Sequence, residues 1–376
     1  MNPGSRRRRR VREGLSRAAA LVPAILSALI LAGCAAPEAP RRADGAALVL
    51  VPISQAGIRD GRGRFREIFC AVLEARPEAD ATSVSCEQAL RRLPDEPPGT
   101  GEPVDLSSSA QVIPVPYVLG LWSDCSDQNE RAAAEFGDYL ARSGFRLEMI
   151  GVSGISGSGR NAEAIRAALE ERPATASGDR AVILTHSKGA VDVLEALVSY
   201  PDLHEKVAAV VSLAGAIGGS PLADTAPDAL LEIAARTPGL KCREGDMQAL
   251  ESLRPAVRQG WLAQHRLPHA VRFYSIVAMP EPARVSSGLR LTYDKLADID
   301  ARNDGNLLYF DQVIPGGALL GYANADHWAI ATDLADSEYA LVRQLANRND
   351  YPRKALIEAA LRFVEEDLGS SPLSAH

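Results

Sequence analysis

Apolar and polar positions along the chain change period repeatedly, and each change marks the end of one predicted element and the start of another. Residues Ala181 to Leu184 form a short unbroken apolar run, as a strand buried on both faces requires. From Ala190 onward, Ala190, Leu194, Leu197 and Val198 return at helical spacing. Strand therefore gives way to helix within Thr185-His186-Ser187-Lys188-Gly189, and Ser187 is the apex of that reversal. Further strands are predicted over 47–51, 112–119, 145–150, 207–213, 271–277 and 307–310. A helix with Phe65, Ile68, Phe69, Val72 and Leu73 on one face precedes others over 87–93, 128–143, 162–171 and 337–346. The last runs from Pro352 to just before Gly369, with Leu356, Ala360, Val364 and Leu368 on one stripe. Residues 94–103, rich in proline and glycine, read as a linker. Strands alternating with helices predict the α/β class, a mostly parallel central sheet with helices on both faces. No internal repeat is present.

The N-terminus follows a different pattern. Arg6 to Arg10, Arg12 and Arg17 precede an apolar run from Ala18 to Leu31, the layout of a secretory signal. The run is too short for an easy membrane span. It ends in Leu31-Ala32-Gly33-Cys34, which resembles the bacterial lipobox, and that resemblance implies cleavage before Cys34 and lipidation of its sulfur. Residues 1–33 are then the signal peptide, 34–45 an alanine- and proline-rich tether, and 46–110 an N-terminal region packed on the core. Residues 111–370 form the main domain. The expected address is the bacterial cell envelope, lipid-anchored at the outer membrane, on its periplasmic side or at the cell surface.

Charge and cysteine content narrow the partners. The 376-residue chain carries a net charge of −7, and loss of a signal with seven arginines and one glutamate takes it to −13. So acidic a chain is a poor match for nucleic acid or an anionic lipid surface. With Cys34 set aside, Cys70, Cys86, Cys125 and Cys242 remain, an even number that suggests two disulfides in an exported protein. Three pairings are possible, and proximity favours Cys70 with Cys86, leaving Cys125 with Cys242. No cysteine or histidine spacing suited to zinc occurs, so no metal is expected.

The stretch around Ser187 resembles the nucleophile elbow, G-x-S-x-G, of the α/β-hydrolase family, with Gly189 in place and Thr185 where the family usually has glycine. A β-branched side chain there is expected to crowd the turn. In that family the amide after the serine helps to bind an oxyanion, here Lys188, and a glycine-containing loop after an early strand supplies the second donor. Gly120-Leu121-Trp122-Ser123-Asp124-Cys125 is such a loop, with Leu121 or Trp122 as the donor. Small residues from Ala214 to Pro221, after the next strand, are expected to leave room for substrate. An insertion at 222–269, with Leu250, Leu253, Val257 and Trp261 at helical spacing, is either a cap over the pocket or a pair of helices extending the core.

A serine needs a base and the base an orienting acid, in the chain order serine, acid, histidine on this fold. His204 lies too early, and His265 and His269 precede any later strand that could carry the acid. His327 lies in a loop after the last predicted strand, and Asn303-Asp304-Gly305 upstream resembles the acid turn of bacterial lipases and esterases. The resemblance assigns Asp304 as acid and His327 as base. Asp326 competes, but a sequence neighbour rarely aims its carboxylate at the adjacent ring. Two other motifs carry less. Gly57 to Arg64, a glycine-punctuated basic loop, is either solvated or a receptor for a substrate anion. Gly157-Ser158-Gly159-Arg160-Asn161-Ala162 fits a dinucleotide fingerprint, but Asp179 precedes the next strand instead of ending it, and no cofactor is expected.

The resemblance implies a lipid-anchored serine hydrolase that cleaves acyl esters of small molecules or lipids. Amidase, thioesterase and acyltransferase activities would use the same triad. A catalytically silent envelope binding module is the other class.

Overall fold

The computed structural model describes residues 57–77, 84–125, 128–172, 180–227, 231–232, 242–334 and 340–370. The expected signal, Cys34, the tether and the expected strand at 47–51 lie outside them, as do 228–230 and 233–241 of the insertion.

Among the described residues, eight strands form one sheet: β1 (Arg59–Asp60), β2 (Leu90–Arg91), β3 (Ile113–Val118), β4 (Phe145–Met149), β5 (Ala181–His186), β6 (Val207–Leu213), β7 (Arg272–Ala278) and β8 (Ala318–Ala323). Their order is β1-β8-β7-β6-β5-β3-β4, with every pair along this path parallel. The short β2 pairs antiparallel with the second half of β8, beyond the part covered by β1. After β3 the chain runs to the outer strand β4 and returns on the other side of β3 as β5. Strand order therefore reverses between β3 and β5, whose carboxyl ends lie side by side through Val118 and Thr185. Open α/β sheets place their ligand sites at such a switch point.

The apolar alternation decides which side chain faces which layer. Val182 and Leu184 of β5 face one core cluster, and Ile183 between them faces the other. On the first side lie α1 (Arg62–Ala75), α3 (Gln128–Ala141) and α9 (Arg353–Ser370); the short α2 (Cys86–Ala89) comes between α1 and α3 in the chain. On the second lie α4 (Ser158–Glu170) and α5 (Lys188–Ser199). In α1, Phe65, Ile68, Phe69 and Val72 recur at helical spacing and are buried, each stabilising by roughly 1.5–3 kcal/mol.

Several expectations change on contact with tertiary structure. Most of the basic stretch is paired inside the fold and not open to an anion; Arg59 stays half exposed beside Asp367. Arg62, only 1% exposed, begins α1 and pairs with Asp60 and Asp95; Arg64 pairs with Glu67 and Glu366, and Arg66 with Glu96. The 94–103 linker is packed on α1, since a Cβ on Gly63 would meet Pro98 O at 2.3 Å and Glu67 accepts the amides of Thr100 and Gly101. The helix expected over 87–93 is α2 followed by strand β2, because this edge of β8 offers unpaired backbone. Residues 307–310 are not a strand. Asp304 Oδ1 accepts the amides of Asn306 and Leu307, which bends the segment into a turn, and only Leu308 bridges Asn303 before a short 3₁₀ turn at Tyr309–Gln312. The strand that completes the sheet is β8. The last helix runs past Gly369 to Ser370, and 337–339 of the helix expected before it lie outside the described residues, which contain α8 (Ala340–Leu345).

The insertion leaves the sheet after β6 and returns at β7. Its described part contains α6 (Pro255–Gln264), with Pro255 in the first turn, where a missing N–H costs nothing. Helix α7 (Arg290–Ala297) follows β7.

Candidate active site

The reversal after β5 gives Ser187 φ 56° and ψ −128°, a left-handed conformation that a residue with a Cβ adopts only when its surroundings over-determine it. Gly189 shows what holds it: a Cβ there would lie 2.3 Å from Val118 O, so the first turn of α5 is pressed onto the end of β3. Thr185 does not crowd the turn. It is still within β5, and its hydroxyl donates to Val211 O across the sheet at 3.2 Å. The glycines after β6 are used for close packing, not for open space. Cβ atoms there would lie 2.1 Å from Ser212 Oγ at Gly215, 2.2 Å from Asp311 Oδ1 at Gly218 and 2.6 Å from Leu253 O at Gly219.

Three side chains converge on the carboxyl edge of the sheet. Ser187 Oγ lies 2.9 Å from His327 Nε2, and His327 Nδ1 lies 2.7 Å from Asp304 Oδ2. Ser187 is half-buried, His327 4% exposed and Asp304 fully buried, so the chain of contacts runs from solvent inward. Asp304 sits in the turn before Leu307, and His327 in the loop after β8, where its own amide donates to Asp304 O at 3.0 Å. Gln312, fully buried, donates Nε2–H to Asp304 Oδ2 at 3.3 Å and holds the end of β7 by exchanging hydrogen bonds with Ala278.

Asp326 points elsewhere. Its carboxylate accepts the amides of Ser286, Trp328 and Ala329, while burial pushes its pKa up against those bonds. It shapes the loop that carries His327. His186 is the residue that sequence reasoning passed over: its Nε2–H donates to His327 O at 2.9 Å, with the two rings 4.9 Å apart. Burial, with the neighbouring His327, pushes its pKa down to about 3, so this imidazole is neutral. Its place inside the serine pentapeptide was a usable hint. Gln312 had none.

The loop after β3 faces the serine directly. A Cβ on Gly120 would lie 2.8 Å from Lys188 N and 2.9 Å from Ser187 Cβ. Lys188 N–H, at the open start of α5, and Leu121 N–H donate to no acceptor among the described residues, whereas Trp122 N–H is directed to Gly154 O at 3.4 Å. The Lys188 side chain turns away into the protein and pairs with Asp192 at 2.6 Å, both fully buried, and Asp192 also accepts from Asn161 at 2.8 Å. The dinucleotide-like segment is thereby accounted for. Asn161 ties α4 to α5, and the start of α4 is already met by Asp246, which accepts Gly157 N–H at 2.8 Å.

Of the four remaining cysteines, Cys70 is bonded to Cys86 and Cys125 to Cys242. The second bridge joins the loop after β3 to the insertion.

Among solved structures the chain is similar to the metagenomic carboxyl esterase MGS0156, at 44% identity over 90% of this chain and 98% of that one, with a TM-score of 0.79. The mature lipase BlEst2 of Bacillus licheniformis gives 21% identity over 66% and 92%, TM-score 0.47, and lipase 1 of Pelosinus fermentans 10% over 70% and 100%, TM-score 0.48. No protein-family model and no curated protein matches the chain.

Proposed function

Starting from a chain that belongs to the α/β-hydrolase family of carboxylesterases and lipases, we propose that it cleaves carboxylic esters through Ser187, His327 and Asp304. The contacts of 2.9 and 2.7 Å that link the three side chains carry this reading. Ser187 Oγ attacks the acyl carbonyl while His327 Nε2 takes its proton, and Asp304 holds the ring so that Nε2 is the free nitrogen. The carbonyl oxygen becomes an anion against Lys188 N–H and Leu121 N–H, both of which lack other acceptors among the described residues. As the tetrahedral adduct collapses, His327 gives the proton to the leaving alcohol. Water, deprotonated by the same nitrogen, then hydrolyses the acyl-enzyme. A silent binding module would not need Ser187 and His327 in hydrogen-bond reach, so the 2.9 Å contact favours the enzyme.

Fluorophosphonate labelling of the full chain beside Ser187→Ala and His327→Ala tests the triad, followed by a p-nitrophenyl ester chain-length series that separates esterase from lipase. Labelling lost in both variants is expected. A folded wild type that neither labels nor cleaves any ester overturns the reading.

The same proposal includes export and lipidation at Cys34, with the enzyme held at the cell envelope. Two disulfides suit an oxidising compartment. Incorporation of a clickable palmitate by the wild type but not by Cys34→Ser is the expected result, and equal incorporation by both rules out that site.

A further inference from the structure

The loop that presents Leu121 N–H is fastened from outside through Asp124. Asp124 Oδ1 accepts Gly154 N–H at 2.7 Å, and Asp124 Oδ2 accepts Arg243 N–H at 2.7 Å. Gly154 belongs to the connection between β4 and α4, and Arg243 to the insertion. One carboxylate thus joins three segments that are far apart in sequence. The neighbouring residues add the covalent bond, Cys125 to Cys242, and Leu121, Trp122 and Leu250 pack beside it around Ile155 and Ala249.

This fastening has something to hold. Trp122 has φ 65°, an outlier for a bulky residue that persists only where the surroundings enforce it. Gly154 enforces it from one side, since a Cβ there would lie 2.5 Å from Trp122 N. The turn at Trp122 directly follows Leu121, so the path of the loop that carries Leu121 N–H is fixed at its next residue. An oxyanion donor acts only when it lies about 2.7–3.1 Å from the anion, and misplacement by about 1 Å costs on the order of 100-fold in rate.

We propose that Asp124 is a positioning residue for the oxyanion site, and that the insertion acts on catalysis through it by fixing the loop after β3. The proposal rests on the role given above to Leu121 N–H. A carboxylate is required because it accepts from two amides at once. An asparagine in the same place has one acceptor oxygen, and its NH₂ would confront the other N–H.

The test compares wild type with Asp124→Asn in the full chain, using p-nitrophenyl butyrate as substrate and an aryl trifluoromethyl ketone, whose serine adduct carries an oxyanion, as inhibitor. For Asp124→Asn, kcat is expected to fall about 10- to 100-fold, with KM changed less than about 2-fold. The ketone Ki should rise by the same factor as kcat/KM falls, and the pH profile of kcat should keep its position, because His327 and Asp304 are untouched. A merely structural role would not couple ketone affinity to rate in this way. Unchanged kcat in Asp124→Asn, or a fall in kcat without weaker ketone binding, overturns the proposal. If Asp124→Asn fails to fold, Arg243→Pro removes the donor on the insertion side and leaves the loop intact; the same paired loss is then expected, and full activity overturns the proposal. A wild type that neither reacts with fluorophosphonate nor binds the ketone instead overturns the triad reading, and this proposal with it.

Discussion

The Nε2–H of His186 donates to the main-chain oxygen of His327 at 2.9 Å, so the residue before the serine holds the backbone of the histidine whose ring meets that serine. The bond requires a proton on Nε2, and burial keeps the ring otherwise neutral by pushing the His186 pKa from 6.5 down to about 3. Between those values the unfolded chain binds a proton that the folded chain refuses. Stability therefore falls as pH drops from about 6.5 towards 3, by up to about 1.4 kcal/mol per pH unit from this group. His186→Gln should flatten that acid limb in urea unfolding series run from pH 7 to pH 4. An unchanged slope would mean that other groups govern acid stability.

Asp311 acts with the opposite sign. Burial beside Gly218 pushes its carboxyl from 3.8 up to about 7, so over that interval the folded chain holds a proton that the unfolded chain has released. Its contribution is largest at low pH and is lost as pH rises to about 7. Asp311→Asn should thus gain stability relative to wild type as pH rises from about 4 to about 7, with the difference level above that. A constant difference across the series would show that Asp311 titrates normally.

Asp304 and Gln312 separate chemistry from support. Asp304→Asn should lower kcat by about 10,000-fold, because the amide cannot hold the His327 tautomer in which Nε2 is free. Gln312→Leu should retain far more activity but lose roughly 1–3 kcal/mol for each Ala278 backbone group left unpaired. Steady-state kinetics and thermal unfolding of the two variants check this. Equal kcat losses would move Gln312 into the proton path.

The two disulfides should differ in consequence. Cys70 and Cys86 are 16 residues apart and join α1 to α2, neither of which supplies a candidate site residue, so replacing both by serine should cost about 3 kcal/mol of stability and leave kcat near wild type. Replacing Cys125 and Cys242 should lower kcat as well, since that bridge borders the loop of Leu121. Urea midpoints and kcat measured together distinguish the two cases.

What was legible in the sequence follows from how local each signal is. The β5 reversal was readable because an apolar run, a serine and a helical period lie within twenty residues, and β6 appears at the expected 207–213. The placement of Asp304 beside His327 was reachable through motif order. The strand at 318–323 was not, because Gly321 weakens its pattern and the N-D-G turn drew attention to 307–310. The pairing of the arginines of α1 was not legible for a related reason. Their partners Asp95, Glu96 and Glu366 lie 30 to 302 residues away, and no local pattern announces a bond across that distance. Gln312 and Asp124 are of the same kind, ordinary polar residues given a task only by the segments that meet at them.

Lys188 contributes its amide to the candidate oxyanion site and its side chain to a buried pair with Asp192. Losing either partner alone would strand a charge in the interior at a cost of about 3–5 kcal/mol, whereas replacing both by well-packed apolar residues can be neutral. Descent through single steps is therefore blocked at both positions while the double exchange stays open. Related chains should carry the lysine and the aspartate together or lack both, so that two residues four apart are inherited as one character.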